Sequence, residues 1–214
     1  MSALFKDNDW SAKKVAAPPV EDETPERRAR PAMYEFSPQY LYRRAFSEMK
    51  LLDLFGQFDF RPGQCYNFLT AGDIDGLSYL KAIIRQQRLA HCIVSTWCMF
   101  SGDALQLLSW VEGGEIEKLD LYVGEIFKAS YSAVWSQIHD FYQTHPDVGR
   151  LAIFRNHSKI IAGTGERFTF GLQTSANIDT NMRTEQACLS IDEGIYQFYK
   201  DYFDKIKSFE REDR

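Results

Sequence analysis

Apolar positions along the chain keep two rhythms, one near 3.6 residues and one of short continuous runs, and the two alternate. Residues 39–55 place Tyr40, Leu41, Phe46, Met49, Leu52 and Phe55 at spacings near three and four, which predicts an amphipathic helix packing on its own domain or across an oligomer interface. Residues 64–70 read as a buried strand. Gly72-Asp73 or Asp75 then caps a helix running to about residue 88, with Leu77, Leu80, Ile83 and Ile84 on its apolar face. The same pattern repeats as a strand over 90–98, a helix over 101–111 ended by Gly113-Gly114, and a strand over 116–123. A third helix over 130–144 turns Val134, Trp135, Ile138, Phe141 and Tyr142 inward and stops at His145-Pro146. Strands alternating with helices of this length imply βαβ units and a sheet covered on both faces.

After residue 148 the alternation ends. Four strand-like runs follow, 150–155, 157–163, 167–173 and 184–191, and an aromatic-rich helix over 193–209 closes the chain. The expected fold is α/β, a mixed, largely parallel sheet sandwiched between helix layers. Residues 1–38 hold five of the seven prolines and a mixed-charge run, so they are expected to be a flexible tail, or a docking strand for a protein partner. The expected organisation is tail 1–38, amphipathic helical lead-in 39–60 and α/β domain 61–214.

The chemistry concentrates between residues 155 and 189. His157 and Lys159, two apart on an expected central strand, point to the same side and can meet one ligand. An imidazole supplies a nucleophile or acid near neutral pH, and an ammonium supplies a compact positive charge. Ser175 and Asn177, again two apart, can offer a hydroxyl and an amide to the same oxyanion, and Glu185 can hold the imidazole by its second nitrogen. Arg155 and Arg183 flank these segments as a phosphate-binding rim or as solvated strand-end arginines. Taken singly, each residue fits a solvated strand edge; taken together and in order, they fit phosphoryl chemistry. A Ser175–His157–Asp179 acyl-transfer triad lacks the Gly-x-Ser-x-Gly elbow.

Over roughly residues 64–208 the chain resembles the phospholipase D superfamily, through His157-Ser-Lys159 followed by Ile160-Ile161-Ala162, then Ser175-Ala-Asn177, then Glu185 leading an apolar strand. It departs from the pattern at Thr164, where the family has Asp, and at Thr174, where it has Gly. Lys159 to Ser175 is also three residues longer than the pattern, which predicts an enlarged turn. The resemblance implies a phospholipase D-like fold. Because the chain holds a single motif, it implies a two-fold homodimer in which His157 faces its counterpart. One His157 would form a phosphohistidine while the other protonates the leaving oxygen. Lys159 and Asn177 would neutralise the equatorial oxygens, Ser175 would add a hydrogen bond, and no metal or other cofactor is implied.

Composition narrows this picture. With 44% hydrophobic residues in 214, the chain can bury one core. The formal charge of −5 gives no global footprint for nucleic acid, so any polyanion would be bound by a local patch. Cys65, Cys92, Cys98 and Cys188 form no Cys-x-x-Cys pair and read as buried thiols, with a disulfide or zinc site as alternatives. His91 reads as core or boundary, His139 and His145 as solvated, and Trp97 as packing. No signal-like or membrane-length apolar run occurs, so a cytoplasmic protein with no membrane partner is expected. The expected activity is a metal-independent phosphodiesterase, a nuclease acting on DNA rather than RNA. A catalytically silent phospholipase D-like scaffold or nucleic-acid-binding protein is the alternative.

Overall fold

A computed structural model describes residues 38–180 and 183–209. The expected tail therefore lies, except for Pro38, outside the described residues. Helix α1 (Pro38–Phe55) precedes an alternation of β1 (Cys65–Thr70), α2 (Gly76–Ile84), β2 (Leu89–Thr96), α3 (Ser101–Glu112), β3 (Leu119–Gly124), α4 (Phe127–Ser130), α5 (Ser132–Thr144) and β4 (Leu151–Phe154). Strands β5 (Ile160–Gly165), β6 (Thr169–Thr174) and β7 (Glu185–Ile191) follow, and α6 (Glu193–Phe203) is the last element.

The strands form one seven-stranded sheet in the order β1-β7-β6-β5-β2-β3-β4. The β2–β3 and β3–β4 ladders are parallel, and the other four are antiparallel. Followed through these pairings, β1, β2, β3, β4 and β6 run one way, while β5 and β7 run against them. The mixed, largely parallel sheet between helix layers is the architecture expected above.

Alternation along the central strands separates two cores. Cys92 and Val94 of β2 join Leu121, Ile161, Leu172 and Leu189 beneath α1, α2, α3 and α5. Ile93, one residue out of phase, joins Tyr122, Ala152 and Ala162 beneath Tyr196, Tyr199 and Phe203 of α6. Gly171 lets α6 approach, because a Cβ there would lie 2.9 Å from Ile195 Cγ2. The helix is also tied by polar bonds: His91 bridges Tyr196 Oη at 2.6 Å and Asp120 Oδ2 at 2.9 Å.

The buried face of α1 differs from the apolar stripe seen in sequence. Phe46 and Met49 are 56% and 59% exposed, whereas Leu51 and Phe55 are buried. The inward stripe runs through Arg44, Glu48, Leu51 and Phe55, so two of its positions are charged. Arg44 reaches Glu48 at 3.1 Å, Asp75 at 3.1 Å and Asp103 at 2.9 Å, and Lys81 reaches Glu48 at 2.7 Å. Asp75 is also the N-cap of α2, with its Oδ1 accepting from Ser78 N at 2.8 Å in a capping box. Its Oδ2 faces Arg44 as an ion pair without hydrogen-bond alignment.

Other boundaries move for local reasons. The expected third helix is α5, which starts at Ser132 and is set off from the short α4 before it by Tyr131, whose backbone (φ −122°, ψ 39°) is not helical. Helix α6 ends at Phe203, where Arg150 donates to the carbonyls of Phe203 and Asp204 at 3.3 and 3.0 Å. The turn between β5 and β6 is short, residues 166–168, rather than enlarged. Buried Gln87 pins it, accepting from Arg167 N and Phe168 N and donating to Phe168 O.

Candidate functional site

Five strands finish at one edge of the sheet, and the segments leaving them converge there, the position at which open α/β sheets usually bind ligands. His157 and Lys159 sit in the lead-in to β5, which begins only at Ile160, and not on the strand itself. The lead-in is held by Asn156, only 4% exposed. Its Nδ2 donates to Ser95 Oγ at 2.9 Å, Tyr122 O at 3.1 Å and Thr96 O at 3.3 Å. Its Oδ1 accepts from Ser158 N at 2.9 Å and Ser158 Oγ at 2.7 Å. Asn156 thus ties the ends of β2 and β3 to the residue between His157 and Lys159. Gly124 keeps room for this knot, because a Cβ would lie 2.9 Å from Trp97 O and 3.2 Å from Asn156 O.

With Ser158 turned inward to Asn156 and Ser95, His157 points outward and is exposed. Lys159 Nζ lies 3.4 Å from His157 Nδ1 and donates to His157 O at 2.7 Å. The Trp97 ring packs against the imidazole, with 5.3 Å between centroids. Partial burial lowers the Lys159 pKa, an effect opposed by Cys98 and Glu185.

The β5–β6 register explains how a longer spacing still brings Ser175 to this point. Ile160 pairs with Gln173, and Thr174 N donates to Lys159 O at 3.1 Å, so the hairpin returns the chain beside the histidine segment. Ser175 is exposed, donates to Glu185 Oε2, and accepts from Gln186 N at 2.9 Å. Asn177 lies in the loop beyond, its carbonyl accepting from Gly76 N at 3.2 Å and its side-chain oxygen buried without a hydrogen bond to the described residues. Asp179, half-buried nearby, has its pKa raised by burial and by Asp103. Thr164 stands at the far end of β5, bonded to Thr169 at 3.0 Å. It is about 20 Å along the chain from His157 at strand rise per residue.

His157, Lys159 and Ser175 line one groove of about 830 Å³, together with Asn67, Gln186 and Cys188. Arg155 and Arg183 are both exposed. An exposed imidazole with an ammonium beside it and a hydroxyl across the groove can take an oxyanion and pass a proton to or from it. Asn156, Ser158 and Trp97 were not legible as site residues, because a polar residue beside a motif histidine carries no pattern of its own. Replacing Asn156 by alanine is expected to cost about 2–4 kcal/mol in urea unfolding, since it leaves several buried groups unpaired at once.

Among the described residues no helix is long and apolar enough to cross a membrane, and no group of three or more His, Cys, Asp or Glu could hold a metal ion. No family model and no curated protein matches the chain. Solved structures do. NucT from Helicobacter pylori matches with TM-score 0.49 and 13% identity, over 66% of this chain and 95% of that one. Polyphosphate kinase from Porphyromonas gingivalis matches with TM-score 0.48 and 11% identity, over 70% and 27%. TrmBL2, an archaeal chromatin protein, matches with TM-score 0.45 and 10% identity, over 78% and 62%. These likenesses assign no activity to this chain.

Proposed function

We propose that the chain is a phospholipase D-like, metal-independent phosphodiesterase that cleaves nucleic acid, DNA in preference to RNA, at the interface of a homodimer. The observation that carries this reading is the His157–Lys159 pair, an exposed imidazole 3.4 Å from an ammonium at the mouth of a large groove. In the proposed reaction His157 Nε2 attacks phosphorus, the phosphorus–oxygen bond to the leaving group breaks, and His157 of the partner subunit protonates that oxygen. Water then attacks the phosphohistidine, with the same partner imidazole as base. Lys159 stabilises the equatorial charge of both transition states, Asn177 adds an amide donor, and Ser175 adds a hydrogen bond once its hydroxyl turns from Glu185 to the phosphate. Glu185 holds the Ser175 hydroxyl before substrate binds and adds negative charge near Lys159. Arg155 and Arg183 provide the rim for neighbouring phosphates.

The replacement at Thr164 bears little on this reading, because that residue stands at the opposite end of β5 from the histidine. Single- and double-stranded DNA and RNA incubated with the protein in EDTA test the proposal. Cleavage, with DNA cut faster than RNA and the protein sedimenting as a dimer, is the expected result. Binding without cleavage would make the chain a silent nucleic-acid-binding member. A monomer in solution would leave the site without its second imidazole.

A further inference from the structure

Exposed free thiols are uncommon on protein surfaces, and two in contact are rarer still. Cys92 and Cys98 are buried, but Cys65 on β1 is exposed and Cys188 on the adjacent β7 is only half-buried. The ladder pairs Cys65 with Ser190 and Asn67 with Cys188, so the two cysteines are diagonal neighbours on one face. Diagonal neighbours in a regular ladder stand about 7–8 Å apart, beyond the usual Cα separation of a disulfide. Even so, the two sulfur atoms have closed to 3.1 Å, and Ser190 Oγ lies 3.7 Å from Cys65 Sγ and 3.9 Å from Cys188 Sγ.

Two further features favour reaction between them. Strand β1 is at the sheet edge, bonded on one side only, so it can yield the roughly 1 Å that a bond near 2.05 Å requires. The pair also forms the ridge between two hollows. Cys188 lines the groove beside His157, and Cys65 lines a second hollow of about 380 Å³ with Gly63, Gln64, Ser190 and Phe198. A small molecule can therefore reach the sulfurs from either side.

We propose that Cys65 and Cys188 form a thiol–disulfide exchange site whose oxidant is a low-molecular-weight disulfide of the glutathione type. Cys65, the more accessible sulfur, attacks as thiolate; the oxidant's S–S bond breaks, one glutathione thiolate leaves, and a mixed disulfide remains on Cys65. Cys188, whose thiol is pushed up by burial and by contact with Cys65, loses its proton as it attacks Cys65 Sγ and expels the second glutathione. Two protein thiols are oxidised and one glutathione disulfide is reduced to two thiols. The proposal does not depend on the phosphodiesterase reading.

The full-length protein, equilibrated with glutathione buffers of increasing oxidised fraction, acid-quenched and unfolded, tests it. Titratable thiols are expected to fall from the four of the reduced chain to two. No glutathione should be retained, a Cys65–Cys188 peptide should be recovered, and dithiothreitol should restore all four. Cys65→Ser and Cys188→Ser should each stop at one glutathione adduct without an internal bond. Oxidised wild type should also melt above the reduced form, by a shift absent from both variants. Four thiols throughout, an end point at mixed disulfides in the wild type, or an internal bond surviving in either variant would overturn the assignment.

Discussion

If the proposed reaction holds, His157→Ala is expected to slow phosphodiester cleavage by about 10⁴-fold or more, because it would remove the proposed nucleophile and, in a homodimer, the general acid as well. The fold should be unaffected. His157 is exposed, its neighbour Ser158 and not the imidazole holds the segment to Asn156, and exposed substitutions away from buried networks change stability by about 0.5 kcal/mol or less. The two effects therefore separate cleanly: chemical denaturation superimposes on the wild type while turnover vanishes. A variant that loses activity together with its unfolding transition would mean that the ring is structural. The wild-type rate should trace a bell against pH, since one imidazole must be neutral as the other is protonated.

The largest stability effect is expected at Arg44. Its guanidinium meets three carboxylates, and the side chain of Asp75 is fully buried while those of Asp103 and Glu48 are 8% and 11% exposed. Arg44→Ala leaves these charges without their shared partner, and about 3–5 kcal/mol should be lost in guanidinium or urea unfolding, a large share of a typical domain's stability. The deficit should depend on pH. Burial pushes the Asp75 carboxyl up to about 6 from its ordinary 3.8, against the pull of Arg44 and of its hydrogen bonds to Ser78. The folded protein therefore holds that proton more tightly than the unfolded chain, so ionising Asp75 lowers stability as pH rises from about 4 to about 6. Asp103 is raised in the same direction by burial. Glu48 moves the other way: burial raises it, but Lys81, Ser78 and Arg44 together hold it low, so its contribution is lost on acidification. Without Arg44 the Asp75 penalty grows and its window extends upward. The gap between Arg44→Ala and wild type should accordingly be smaller at pH 5 than at pH 7. A gap that is constant or widens in acid would mean that Asp75 is not the group left uncompensated.

How much of this was legible follows from the kind of signal involved. All seven strands lie near the short apolar runs that predicted them, and the central β2 and β3 are buried from both layers; β1, expected to be buried, is instead an edge strand with Leu69 78% exposed. The inward face of α1 was misread. Hydrophobic periodicity sees Phe46 and Met49 but not that Glu48 is buried and Arg44 partly so, since their partners Asp75, Lys81 and Asp103 lie some thirty to sixty residues away. The start of β5 was misread for a related reason. Residues 155–159 precede the strand: Arg155 sits at a bend and the segment is held by the Asn156 knot, meeting β6 only through Lys159 O. The spacing of the motif pointed to an enlarged turn, whereas Gln87 holds the turn to three residues and the hairpin register brings Ser175 back beside Ser158. Order along the chain was enough to group His157, Lys159 and Ser175. The hydrogen bond from Ser175 to Glu185 depends on strand pairing across β6 and β7, which spacing does not encode.

The most direct measurement is the identity of the covalent intermediate. A labelled oligonucleotide mixed with the protein in EDTA and quenched in alkali should leave a base-stable, acid-labile label on the imidazole of His157. The label should persist on the wild-type subunit of mixed dimers with His157→Gln, in which the general acid is missing on one side. A label on another residue, or cleavage that proceeds at the wild-type rate with no labelled histidine, would contradict a reaction carried by His157.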